Sequence, residues 1–123
     1  MRFLTRKLVK PEDLNANNTL FGGRLLEWVD EEAAIYAAIE ARHKRVVTKS
    51  ISAINFIAPA RQGDVVEIGV ALKRVGKTSI TLEVQVRDLT TQNIIVNIDE
   101  MVFVCVDESG RPVRHTLGKT KGQ

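Results

Sequence analysis

A chain of 123 residues, 44% hydrophobic and 27% charged, reads as one soluble globular domain able to bury a core between a helix and a sheet. Its net charge of +3 is scattered rather than gathered on one periodic face, which speaks against a nucleic-acid-binding surface. The single cysteine, Cys105, excludes an internal disulfide and a cysteine metal cluster, and no apolar run reaches the ~20 residues of a membrane span.

In chain order, RFLTRKLV predicts a short strand closed by Pro11, and EDLNANNTLF, residues 12–21, a polar loop. The start lacks the apolar core and cleavage site of a signal peptide, so a cytoplasmic location is the expectation. Residues 22–42 predict one long helix, with Leu25, Val29, Tyr36 and Ile39 on a broad apolar face and Leu26, Trp28, Ala33 and Ile35 flanking it. The period then changes. VVTKSISAINFIAP is extended and stops at Pro59. GDVVEIGVALKRVGK carries Val66, Ile68, Val70 and Leu72 on one parity, and TSITLEVQVRD alternates Ile80, Leu82, Val84 and Val86 with polar residues. NIIVNIDEMVFVCVDESG is the last strand, and Asp64, Gly76–Lys77 and LTTQN mark reversals.

Strand, long helix and four long strands make an α+β fold in which one antiparallel sheet wraps one helix. The expected domain covers residues 1–110, and residues 111–123 form a loose basic tail. Apolar residues on the second face of the sheet call for another copy of the chain, hence a homo-oligomer.

Asp30 is the residue out of place. On the helical wheel it falls between Leu26 and the small residues Ala34, Ala37 and Ala41, away from the solvated edge of Glu27, Glu31 and Arg42. An acid in such a gap is either a hydrogen-bonded structural residue or, if kept dry, a base or nucleophile with a raised pKa. Gly22 and Gly23 at the helix start form a tight turn, or expose backbone N–H groups as an oxyanion site. Asn15, Asn17, Asn18 and Thr19 suit turns and caps, and one of them could instead orient water or a carbonyl. Asp30 lies seven residues beyond Gly23, ~10 Å along a helix, so one carbonyl cannot be held by that glycine and attacked by the same chain's Asp30. If both act on one substrate, two chains supply them.

The run NANNTLFGGRLLEWVDEEAA followed by VVTKSISAINFIAPARQGDVVEIGVALKRVGKTSI resembles the hotdog-fold acyl-CoA thioesterases, in the bacterial short-chain and vertebrate cytosolic branch, over residues 5–107. The resemblance implies a long helix wrapped by a five-stranded antiparallel sheet, and a homodimer with active sites at the seam, often assembled as a homohexamer, a trimer of dimers. It places the catalytic aspartate on Asp30, the catalytic asparagine on Asn15 and the oxyanion amides on Gly23 and Gly22. It also lays Arg74, Gly76, Lys77, Thr78 and Ser79 along the coenzyme A moiety. The implied activity is hydrolysis of acyl-CoA to fatty acid and coenzyme A, with no metal and no cofactor beyond the coenzyme A of the substrate. Asn18 stands where the family usually has glycine, and asparagine tolerates the left-handed backbone such a turn needs.

Two other readings compete. A dehydratase or hydratase of the same fold needs a histidine to move protons at carbon, and His43 and His115 follow the helix and lie in the tail. A non-catalytic acyl-CoA sensor uses the same fold, but carries a DNA-binding segment that does not appear here, and the pairing of Asn15 with Asp30 favours catalysis.

Overall fold

The computed structural model describes residues 1–115. Its elements are strand β1 (Arg2–Leu8), a 3-10 turn (Pro11–Asp13), helix α1 (Gly22–Ala41), and strands β2 (Val46–Phe56), β3 (Val65–Val75), β4 (Ser79–Asp88) and β5 (Ile94–Cys105). The five strands form one antiparallel sheet in the order β1-β3-β4-β5-β2. Short turns join β3 to β4 and β4 to β5 as expected. Residues 57–64 instead carry the chain from β2 at one edge to β3 on the other side of the sheet, so Asp64 ends a crossover rather than a hairpin.

The sheet wraps the helix with the predicted parity. Val66, Ile68 and Val70 of β3 and Ile80, Leu82, Val84 and Val86 of β4 are buried in the core, where Met101 and Phe103 of β5 join them. Alternate residues of a strand share one face, so the polar residues between them look outward.

The helix face differs from the one expected. Leu25, Val29, Ala33, Ala37 and Ala41 are buried, whereas Ile39 is 70% exposed and Ile35 48% exposed. A row of every fourth residue forms the ridge that meets the sheet. Three alanines in that row let the helix axis settle close to the strands, and the bulkier isoleucines are turned outward by the same rotation. Arg42 ends the helix in the left-handed region, at φ 54°, while the His43 N–H bonds back to the Ala38 carbonyl.

The second face of the sheet is partly closed by the chain itself. Phe3 of β1 lies over Gly69, where an added Cβ would meet its ring at 2.7 Å. The Arg87 guanidinium stacks 3.5 Å from the Phe3 centroid, with Arg87 Nε 3.6 Å from the buried Glu67. The β2 side is different. It is an eleven-residue edge strand, exposed at Val47 and Phe56, whose outer row of N–H and C=O groups meets no further strand among the described residues.

Residues 111–115, expected to belong to a loose tail, pack back onto the end of the sheet. Val106 bridges Pro112, the Val113 N–H donates to the Cys105 carbonyl, and His115 is buried. Two apolar or amphipathic side chains, Val113 and His115, give this segment something to bury; residues 116–123 lie outside the described residues. Among the described residues no helix is long and apolar enough to cross a membrane.

Candidate active site

The loop before the helix is organised around Asn15. Its side-chain Oδ1 accepts the N–H groups of Asn17 (2.8 Å) and Thr19 (3.2 Å), and its Nδ2 donates to Thr19 Oγ1 (3.0 Å). Among the described residues one Nδ2 hydrogen is left for another partner, because an amide nitrogen carries two. Asn18 takes the left-handed conformation the turn needs, at φ 60°.

The chain then enters the helix with no side chain capping its start, so the first-turn amides of Gly22, Gly23 and Arg24 have no helical carbonyl to bond. Phenylalanine rings crowd both glycines, so a side chain at either would have to displace one. A Cβ at Gly23 would meet the Phe21 ring at 2.8 Å, and one at Gly22 would meet the Phe56 ring at 3.3 Å. Asp13, buried, accepts the Lys10 N–H and pairs with Arg24 Nε at 3.3 Å, which anchors the loop to the first turn. Asn15, Gly22 and Leu25 line a pocket of about 330 Å³, completed by Phe56, Ile57 and Ile95 among others. It is a mostly apolar cavity with a few polar groups at its helix-start end, the composition expected of a small-molecule site.

Asp30 does not line this pocket. It sits two turns farther along the helix, about 12 Å from Gly22, and its Oδ1 accepts a 2.6 Å hydrogen bond from Thr48 Oγ1 of β2. Asp30 is half-buried and Thr48 exposed. Of the small residues expected to leave a gap around the acid, Ala37 and Ala41 are in the core, so one chain alone does not keep the carboxylate dry. Thr48, the donor to this candidate acid, is a residue that sequence reasoning missed. The local signal is slight: it is a polar residue on the parity of Val46, and only the structure shows that it pairs across the sheet with the buried Phe103.

The remaining predicted residues gather at the turn between β3 and β4. Arg74 pairs at the surface with Glu100, with Nη2 2.7 Å from Oε1, and Lys73 Nζ stands 3.4 Å from the same carboxylate. The hydrogen bond from Arg74 holds the Glu100 carboxyl below the usual carboxylate range and raises the guanidinium in turn. The Gly76 N–H closes the turn on the Ser79 carbonyl, and a side chain at Gly76 would collide with Ser79 Oγ. Lys77 is exposed and Thr78 and Ser79 half-buried. Burial pushes the Cys105 thiol up, so it is a poor nucleophile. His43 Nε2 bonds the Val106 carbonyl and His115 Nε2 the Ser79 carbonyl, which leaves neither beside Asp30. Among the described residues no group of three histidine, cysteine or acidic side chains forms a metal-ligand set.

Residues 17–95 match the sequence model of the thioesterase superfamily. The chain belongs to that family. It is 38% identical over 114 residues to an uncharacterized acyl-CoA thioester hydrolase of Haemophilus influenzae, covering 88% of this chain and 73% of that one. Its fold superposes on a hexameric thioesterase of Yersinia pestis with a TM-score of 0.85 at 31% identity, over 93% of this chain and 94% of the other. An acyl-CoA hydrolase of Staphylococcus aureus, solved with butyryl coenzyme A and coenzyme A, matches with a TM-score of 0.81 at 31% identity, over 90% of this chain. This chain spans 66% of that hydrolase's own length. The Staphylococcus aureus protein has also been solved as three single variants, with alanine in place of an aspartate, of an asparagine and of a threonine. The helix within a curved five-stranded sheet is thus the hotdog fold of this family.

Proposed function

We propose that this thioesterase-family chain hydrolyses acyl-CoA thioesters to a free fatty acid and coenzyme A at sites shared between two copies of itself. The observation that carries the reading is the division of the site along β2. The Asp30–Thr48 pair stands at one end of this strand and the Asn15–Gly22 pocket, through Phe56, at the other. β2 is an open edge, and two such edges related by a two-fold axis pair antiparallel. That pairing sets the Thr48 end of one protomer beside the Phe56 end of its partner. Each acid then faces the amide pocket of the other chain, in a seam that excludes water from both. The hexameric Yersinia pestis relative supports an assembly of three such dimers.

In this arrangement the thioester carbonyl lies against the Gly23 and Gly22 amides of one protomer. The Asp30 carboxylate of the other supplies the attack, either by removing a proton from water or by adding to the carbonyl itself. Negative charge gathers on the carbonyl oxygen, where preorganised N–H donors are each worth ~3 kcal/mol. Collapse of the intermediate breaks the carbon–sulfur bond, and the thiolate leaves as coenzyme A with the proton taken from water. Where Asp30 itself adds, the acyl–aspartyl anhydride so formed is then hydrolysed by water, which frees the fatty acid and restores the carboxylate. Asn15 orients the water or intermediate with its spare Nδ2 hydrogen. The aspartate and asparagine replaced in the Staphylococcus aureus hydrolase are fifteen positions apart, as Asp30 and Asn15 are, which supports this pairing of roles. The threonine replaced there follows the aspartate by an interval within one position of that between Asp30 and Thr48. Arg74, Gly76, Lys77, Thr78 and Ser79 lie along the coenzyme, with the cations facing its phosphates. The reaction so drawn takes coenzyme A only as part of the substrate, and its setting is the cytoplasm, where a lone reduced cysteine is at home.

Thiol release measured across acyl-CoAs of about two to sixteen carbons tests the proposal. Turnover well above the uncatalysed rate for part of that range is expected. Tight binding of every acyl-CoA without release of thiol would replace it with the sensor reading.

Thr48 gives a sharper handle on the acid. A hydrogen bond to a charged group is worth about 1.5–3 kcal/mol, so Thr48→Val, which keeps the shape and removes the donor, is expected to lower kcat about tenfold or more with the oligomer intact. An unchanged kcat would mean that Asp30 is oriented by something other than β2.

A further inference from the structure

The turn carrying Gly76–Ser79 is held from behind by the C-terminal segment, and three successive carbonyls are engaged there. Lys77 O accepts the His115 main-chain N–H (3.4 Å), Thr78 O accepts the Cys105 N–H (2.9 Å), and Ser79 O accepts His115 Nε2 (3.0 Å). Ser79 O also receives the Gly76 N–H at 3.0 Å, so the bond that closes the turn and the bond to the imidazole share one oxygen. A carbonyl only accepts, so Nε2 carries the ring hydrogen. Nδ1 is buried and finds no partner among the described residues, which leaves the Ser79 bond as the polar contact that orients the ring. The segment itself is pinned to β5 through Val113 N–H and the Cys105 carbonyl.

We propose that His115 is a positioning residue for the coenzyme-binding edge: it ties the C-terminal segment to the Gly76–Ser79 turn and so holds Lys77 and Thr78 in the arrangement that meets the coenzyme A moiety. The proposal rests on the reading that this turn lies along coenzyme A. With the turn's carbonyls engaged by β5 and His115, Lys77 remains exposed on the turn. A short reversal between two long strands is free to change its turn type unless something outside it fixes the carbonyls, and His115 supplies two of the three bonds that do so. The effect belongs to the nucleotide part of the substrate and not to the reacting carbonyl, because the turn is built on strands β3 and β4 while the acid and amides are built on the helix and β2.

The test compares native protein with His115→Ala, His115→Leu and His115→Gln on an acyl-CoA and on the matching acyl-pantetheine, which has the same thioester but lacks the nucleotide. His115→Leu keeps buried volume without a donor, and His115→Gln keeps an N–H able to reach the Ser79 carbonyl. The Ala and Leu variants are expected to raise KM for acyl-CoA about tenfold, equal to about 1.4 kcal/mol of binding, with kcat nearly native. KM for acyl-pantetheine stays unchanged, and His115→Gln restores most of the loss. An unchanged acyl-CoA KM in His115→Leu, or equal loss on both substrates, overturns the proposal. Titration of coenzyme A alone into the same variants reads the weakened binding without turnover. A native protein that binds coenzyme A normally yet hydrolyses nothing would overturn the hydrolase reading while leaving the His115 effect measurable. If His115→Ala does not fold, the Leu and Gln pair decides.

Discussion

Asp30→Asn is expected to lower kcat by about 10²–10⁴-fold, the range a positioned general base contributes, while leaving fold and assembly intact. The substitution is close to isosteric, and the carboxamide oxygen of the variant would still accept the bond that Thr48 Oγ1 now gives to Asp30 at 2.6 Å. Packing is little at stake, because Asp30 is half-buried on the helix and the core row of Leu25, Val29, Ala33, Ala37 and Ala41 is untouched. What is lost is the basic oxygen. Steady-state kinetics with circular dichroism and size-exclusion chromatography check the result. A near-native kcat in a well-folded oligomer would remove Asp30 from the chemistry, and the proposed mechanism with it.

Mixing Asp30→Asn chains with Asn15→Ala chains, each inactive alone, is expected to restore about a quarter of native activity. In a two-fold dimer the mixed species is half of the population, and one of its two sites combines the intact Asp30 of one chain with the intact Asn15 of the other. The structure motivates this directly. Asn15 lines the pocket at the Phe56 end of β2, and Asp30 is bonded at the Thr48 end of the same strand. Recovery requires subunit exchange, which a mass-tagged chain and native mass spectrometry establish. If exchange is complete and activity stays at the level of the single variants, both residues serve one chain's site and the shared seam is wrong.

Much of the architecture is legible in the residues. The alternation of Ile80, Leu82, Val84 and Val86 and of Val66, Ile68 and Val70 predicts both strands and the face each buries, because a period of two leaves only one way to hide the apolar set. The left-handed turn at Asn18 is expected from the family resemblance, which puts glycine there, and asparagine tolerates that conformation. The helix is legible as an element but not in its rotation. Ile39 and Ile35 rank as core by hydrophobicity, yet the alanine row is buried, since close approach to a sheet rewards small side chains over apolar ones. The packing of residues 111–115 escapes a local reading for a similar reason. Val113 and His115 have little local pattern, and their partners, Cys105 and Ser79, are distant in sequence.

The site divides along the same line. Its parts are local: an asparagine turn, a glycine helix start and an acid at helical spacing carry their signals within about twenty consecutive residues, so the sequence by itself determined the fold class and most of the residues put forward for chemistry. Their relations are not local. Only the tertiary structure decided that β2 is the open edge next to β5, that Thr48 is the donor held on Asp30, and that His115 reaches the turn at Ser79. Contacts of that kind depend on which strands pair and on how the helix is rotated against them. Those are set by packing over the whole chain, and no short stretch of residues encodes them.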